Sequence, residues 1–281
     1  MTAFHPYSGK SVALATLHEK GALIAPAFKE ILHMVVEEVA IDTDSLGTFS
    51  GEIERVGSAK ETALRKARLG MEASGSSRGL ASEGSIGPDF FIPFIQSDVE
   101  IIAFIDDELG IELIESYRST EITAHTITID SAVDLSEFLK KADFPHHKLI
   151  VRSSERPITF CRKGIATEES LHSAITEGLQ QVPSLVIESD LRAHCSPSRG
   201  KNIAAAAEKL ARRLRELCPE CAAPGWGVVG YEKGLACAEC GEISDDALKS
   251  EILGCTRCSF KQEGKTLAEE IDPSRCNLCN P

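Results

Sequence analysis

The sequence predicts an α/β protein, with a mixed-sheet N-terminal domain over residues 1–217 and a small cysteine-rich region over 218–281. Three observations carry this. Short apolar runs of strand character alternate with helical repeats before residue 190. A long amphipathic helix follows over 198–217, with Ile203, Ala207, Leu210, Leu214 and Leu217 at steps of four and three. Cysteine use then changes: Cys161 and Cys195 precede residue 218, and eight cysteines fall in the last 64 residues.

The elements read in order. SVALATL (11–17) is a buried strand, and LIAPAFKEIL (23–32) is a helix that tolerates Pro26 only in its first turn. MVVEEVAI (34–41) is a strand and residues 59–72 are a helix. GLASEGSIGP (79–88) is too rich in small residues to build a core and reads as a turn holding one acid, Glu83. VEIIAFI (99–105) and GIELIES (110–116) pair as a hairpin around Asp106–Asp107. EITAHTITI (121–129), KLIVRS (148–153) and SLVIES (184–189) are strands, with a helix near 168–180. His146–His147 follows Pro145 and reads as a solvated loop.

Composition narrows the function classes. A formal net charge of −13 argues against nucleic acid, whose binding draws on Lys and Arg neutralising phosphates. No apolar run approaches the ~20 residues of a membrane span, and the N-terminus lacks the basic-then-apolar order of a signal peptide. The expected location is the cytoplasm, where paired cysteines suit metal better than disulfides.

The strongest motif is four CxxC pairs. Cys218 and Cys221 precede Cys237 and Cys240 by 15 residues, and Cys255 and Cys258 precede Cys276 and Cys279 by 17. Each CxxC turn aims two thiolates at one point, and two turns complete a tetrahedron around Zn²⁺. Two structural zinc ions per chain are expected, in tandem four-cysteine zinc ribbons, with sequential pairing, each set enclosing a small hairpin, preferred over a cross-braced arrangement. With few apolar side chains, the region draws much of its folding free energy from metal. It holds six basic residues against eleven acidic ones, which favours a protein partner over nucleic acid. Trp226, in PGWG, reads as a packing residue.

A second constellation lies near the N-terminus. A strand ends in TLHEK, a helix carries Glu61 and Lys66-Ala67, and SEGSIGP follows. This order resembles the inosine/xanthosine triphosphate pyrophosphatase and Maf-like superfamily over about residues 11–130. The resemblance implies that fold and a Mg²⁺-dependent hydrolysis of phosphoanhydride bonds in nucleotides. Thr16 and Lys20 would match the phosphate loop, Glu61 and Lys66 the helix signature, and Glu83-Gly84-Ser85 the acid–glycine turn. Glu83 would hold metal or position water, Glu61 would be a second metal ligand, and the lysines would balance phosphate charge. Without the resemblance, Ser58-x-x-Glu61 reads as a capping box, Lys20 and Lys66 as exposed lysines, and Glu83 as a solvated turn residue.

A further cluster, SDLRAHCSPSRGKN (189–202), opens the long helix at Ser196–Pro197. Arg192 and Arg199 there read either as a phosphate clamp reached from Glu83 or as an interdomain salt-bridge network. The whole chain is also similar to an uncharacterised bacterial family, a domain of unknown function, through SEGSIGP, DLRAHCSPSR and CPECAAPGWG. The alternative to a hydrolase is a non-catalytic adaptor that docks a protein through its zinc ribbons. TLHEK lacks the asparagine of the phosphate loop, and Ser82 stands where many superfamily members carry a second aspartate.

Overall fold

The computed structural model describes residues 5–17, 20–42 and 57–281. The first sheet has five strands in the order β2-β1-β3-β4-β5. They are β1 (Ser11–Thr16), β2 (Val35–Ala40), β3 (Arg78–Pro88), β4 (Gln96–Asp106) and β5 (Ile111–Ser119). β1 runs parallel to both β2 and β3, while β3, β4 and β5 form an antiparallel meander.

Helices cover both faces. α1 (Gly21–Leu32) and the long α5 (Pro197–Arg215) share one core with Val12, Leu14, Leu80, Ile102 and Phe104. α2 (Ala59–Ser74) covers the other face, packing Ala67 and Met71 on Ala15, Ala81 and Ile105, and Ala63 on Ile101 and Ala103. The alternation of the buried strands explains the split, since successive side chains point to opposite faces. α1 starts two residues before the expected 23, so Pro26 lies beyond the first turn, where its exposed ring faces solvent. α2 opens on the capping box, Ser58 Oγ accepting from Glu61 N–H, and closes on Gly75 at φ 69°.

The expected single mixed sheet is two sheets. The second is antiparallel, in the order β6-β9-β7-β8, from β6 (Thr126–Ile129), β7 (Leu149–Ser153), β8 (Cys161–Ile165) and β9 (Leu185–Ser189). It has its own core, under α3 (Ser136–Lys141) and α4 (Glu168–Leu179). Only the last four residues of the expected 121–129 strand pair, and the sequence reading missed β8, whose charged middle masks its alternation.

GLASEGSIGP is not a turn. It is the body of β3, paired residue for residue with β4 from Arg78↔Asp106 to Pro88↔Gln96. None of its glycines has positive φ. Small residues serve a strand crossed on both faces by close-packed groups. At Gly84 an added Cβ would overlap Glu100 Oε1 and stand 2.7 Å from Arg199 Nη2.

The C-terminal region is a three-stranded antiparallel sheet, β10 (Gly227–Ala236), β11 (Ile243–Gly254) and β12 (Lys261–Thr266). It is tied to α5 through Arg213, which donates to the Gly225 and Val228 carbonyls and to Glu115. No described helix is long and apolar enough to cross a membrane.

Candidate functional site

The cysteines form two clusters, paired differently from the expectation. Cys218 and Cys221 meet Cys255 and Cys258, and Cys237 and Cys240 meet Cys276 and Cys279. Antiparallel pairing dictates the exchange. Gly227, opening β10, lies beside Gly254, ending β11, so the knuckles before β10 and after β11 share one end of the sheet. The residues between Cys221 and Cys237 form a ten-residue strand rather than a small hairpin. That strand spans about 33 Å, too far for its two ends to share an ion.

The thiol geometry suits a metal. Sγ separations are 3.9 Å for Cys218–Cys258 and 3.6 Å for Cys221–Cys255, with 3.8 and 3.6 Å in the second cluster. Four sulfurs at the ~2.3 Å zinc–sulfur distance stand about 3.8 Å apart at the corners of a tetrahedron. Cys255 Sγ also accepts N–H bonds from Arg257 and Cys258, which help to carry thiolate charge. Both clusters could each hold one zinc ion with every position filled by protein, a structural arrangement. Trp226 stacks on Phe260 with ring centroids 5.5 Å apart, a packing role beside the first cluster.

The second site sits where the winding of the first sheet reverses. β2 lies on one side of β1 and β3 on the other, with α1 and α2 on opposite faces. Such sheets bind ligands beyond the carboxyl ends of their strands, and here β1 ends beside Ser82, midway along β3. Thr16 ends β1 there, buried, and Lys20 opens α1. Lys20 Nζ donates to Ser82 Oγ at 3.0 Å and to the Ser82 carbonyl at 3.3 Å. Next along β3, Glu83 accepts from Lys66 Nζ at 2.6 Å, with both side chains buried. Gly84 follows under Arg199, whose Nε donates to Glu100 at 2.6 Å and whose Nη1 donates to the Leu191 carbonyl. Burial, and then the Arg199 charge, lowers the Lys20 ammonium to about 8, and Glu100, Lys66 and Glu83 also act on it.

Beyond Glu100 lies Asp98, two residues along the same strand face. Asn202 donates to its Oδ2 at 2.9 Å. Burial, then the Glu100 charge, pushes the Asp98 carboxyl up to about 7. Asp98 Oδ1 and Glu100 Oε2 are buried with no hydrogen-bond partner among the described residues.

Lys20, Lys66, Glu83, Gly84 and Arg199 therefore converge, and other expected residues do not. Lys66 is buried rather than exposed, and Glu83 is an ion-pair partner rather than a solvated turn residue. Glu61 is exposed and its carboxylate bonds to Ser58 N–H and Oγ, so it caps a helix. Ser85 is exposed on β3. Arg192 gives its fork to Asp190 and lines a cavity of about 320 Å³ with Gln96, His125 and Glu188, so it forms no clamp with Arg199. The α5 N-terminus is not an open anion site either, because Ser198 N–H donates to His147 Nε2. His147 is buried, correcting the solvated reading, while His146 is exposed. Residues 18–19 of the TLHEK loop lie outside the described residues.

Sequence reasoning missed Asp98, Glu100 and Asn202. The signal was present in SDVEIIAFID, where two acids at alternate positions share one face of a buried strand.

Residues 66–281 match the sequence family described as a domain of unknown function (DUF6671). That match lends the pyrophosphatase-like resemblance no support. No curated protein matches the chain.

Proposed function

The chain belongs to the DUF6671 family, and from the charge cluster at the β1–β3 crevice we infer that it binds a phosphorylated small molecule, nucleotide-like in its charge. The observation that carries this reading is the convergence of Lys20, Lys66 and Arg199 on β3 at the switch point, beside the N-terminus of α1. Lys66 and Arg199 are held by Glu83 and Glu100, so Lys20, which donates to the Ser82 oxygens, supplies the countercharge.

Hydrolysis of a phosphoanhydride bond is the reaction to test in this crevice. The donor set does not fit Mg²⁺ well. Glu83 is committed to Lys66 and Glu61 to its cap, while Asp98 and Glu100 face α5, bonded to Asn202 and Arg199. No metal-borne step is therefore drawn. The commitment of Glu83 also favours the second reading, an adaptor in which the sheet binds without turnover and the C-terminal sheet docks a protein.

A panel of canonical and deaminated nucleoside triphosphates, with Mg²⁺ or Mn²⁺, separates the two. Under the hydrolase reading phosphate or pyrophosphate is released and Glu83→Gln abolishes it. Nucleotide binding by calorimetry without turnover leaves the binding reading standing. Neither binding nor turnover, in folded and zinc-loaded protein, overturns both.

A further inference from the structure

Between β3 and β4 the chain reads DFFIPFIQ, and its apolar side chains point into solvent. Phe90 is 88% exposed, Phe91 74% and Phe94 97%, with Ile92 and Ile95 exposed beside them. These are five of the fifteen exposed large apolar residues among the described ones, gathered in six positions, so they form a patch rather than a scatter. The patch is held in place. Asp89 is buried, its Oδ1 accepts N–H bonds from Phe91 and Ile92, and Arg118 Nε donates to its Oδ2 at 2.6 Å. Asp89 N–H and the Ile95 carbonyl close the turn at 2.8 Å, and the Arg118 guanidinium lies over the Phe91 ring.

A complementary surface lies elsewhere on the same chain. The groove between α3 and α4 has a volume of about 790 Å³ and is walled by Ile129, Val133, Leu135, Leu139, Ile175 and Leu179. Its rim is acidic, with Asp134, Glu168 and Glu169. The tip has no charged residue from Phe90 to Ser97 and one cation, Arg118, at its base. An aromatic tip, its Arg118 neutralised by the buried Asp89, thus meets an aliphatic groove on the same chain.

We propose that the Phe90–Ile95 tip of one copy docks in the α3–α4 groove of a second copy, in a reciprocal dimer with two such joints. Area selects the reciprocal form. Three phenylalanines bury roughly 500 Å², so one joint removes roughly 1,000 Å² counting both sides, at the weak end for a stable interface. Two joints give roughly 2,000 Å², within the stable range, and close the symmetry.

Sedimentation velocity of the zinc-loaded full chain, from about 1 to about 100 μM, tests this beside Phe94→Asp in the tip and Val133→Asp in the groove. Both positions are exposed, Val133 at 49%, so both variants keep their fold, which circular dichroism verifies. The expected result is a dimer that each variant weakens at least tenfold. A monomer throughout overturns the proposal, as does a dimer that survives either variant. Loss on Phe94→Asp alone assigns the tip to another surface. Co-sedimentation of a monomeric chain with phosphatidylcholine vesicles, abolished by Phe94→Asp, gives the tip to lipid and equally overturns the dimer.

Discussion

Lys66 Nζ lies 2.6 Å from Glu83 Oε2, an ion pair from α2 to β3 with side chains only 9% and 6% exposed. Removing one member of such a pair leaves a desolvated charge without that counter-charge. Lys66→Met should cost about 3 kcal/mol of stability in urea denaturation. The double variant Lys66→Met/Glu83→Gln should cost less than the two singles added together. Additive losses would show that the two charges are not coupled.

Gly84 makes room for the Arg199–Glu100 pair on the opposite face. Gly84→Ala should therefore destabilise by about 1–3 kcal/mol, the cost of overpacking a close contact. In Gly84→Ala/Glu100→Ala that cost should shrink, because the group nearest the new methyl is gone. The same denaturation series, read as a double-mutant cycle, checks this.

Asp98 sets a pH dependence whose sign can be worked out. Its carboxyl is raised from an ordinary 3.8 to about 7 in the folded protein, by burial and then by Glu100. Between those values the folded state binds more protons than the unfolded state, so this group's contribution to stability falls as pH rises, and levels off above about 7. Asp98→Asn cannot ionise, and its amide N–H can serve Glu100 Oε2. Its stability relative to wild type should be smallest near pH 4, rise toward pH 7 and then plateau. A difference that does not vary with pH would remove Asp98 as the titrating group.

The two cysteine clusters predict two zinc ions per chain, and their pairing predicts which substitutions act together. Cys221→Ser/Cys255→Ser should lose one ion by native mass spectrometry. Cys221→Ser/Cys237→Ser should lose both, because it strikes both ends of the sheet. Sequential pairing would reverse these counts. Chelation should melt the signal of β10–β12 while leaving the first sheet, which has its own core.

Local chemistry made much of the chain legible. The Ser58–Glu61 capping box, the Ser196–Pro197 opening of α5, the 99–116 hairpin and the eight cysteines are short-range patterns, and all stand in the structure. The glycine-rich run was misread because its composition speaks of turns. What fixes it as strand is pairing with β4, across a separation that local propensity does not see.

By itself, then, the sequence determined that the chain is α/β, that a long helix leads into a cysteine-rich region, and which residues carry thiolate and charge. Tertiary structure decided which of them meet. Antiparallel pairing of β10 with β11 exchanged the partners of the CxxC pairs, since a ten-residue strand carries its ends too far apart for one ion. Parallel pairing of β1 with β3 brought Lys20 onto Ser82, and the packing of α2 and α5 on opposite faces set Lys66 against Glu83 and Arg199 against Glu100. Each of these contacts joins residues from 17 to 99 positions apart, and sheet register and face, not local composition, set that distance to zero.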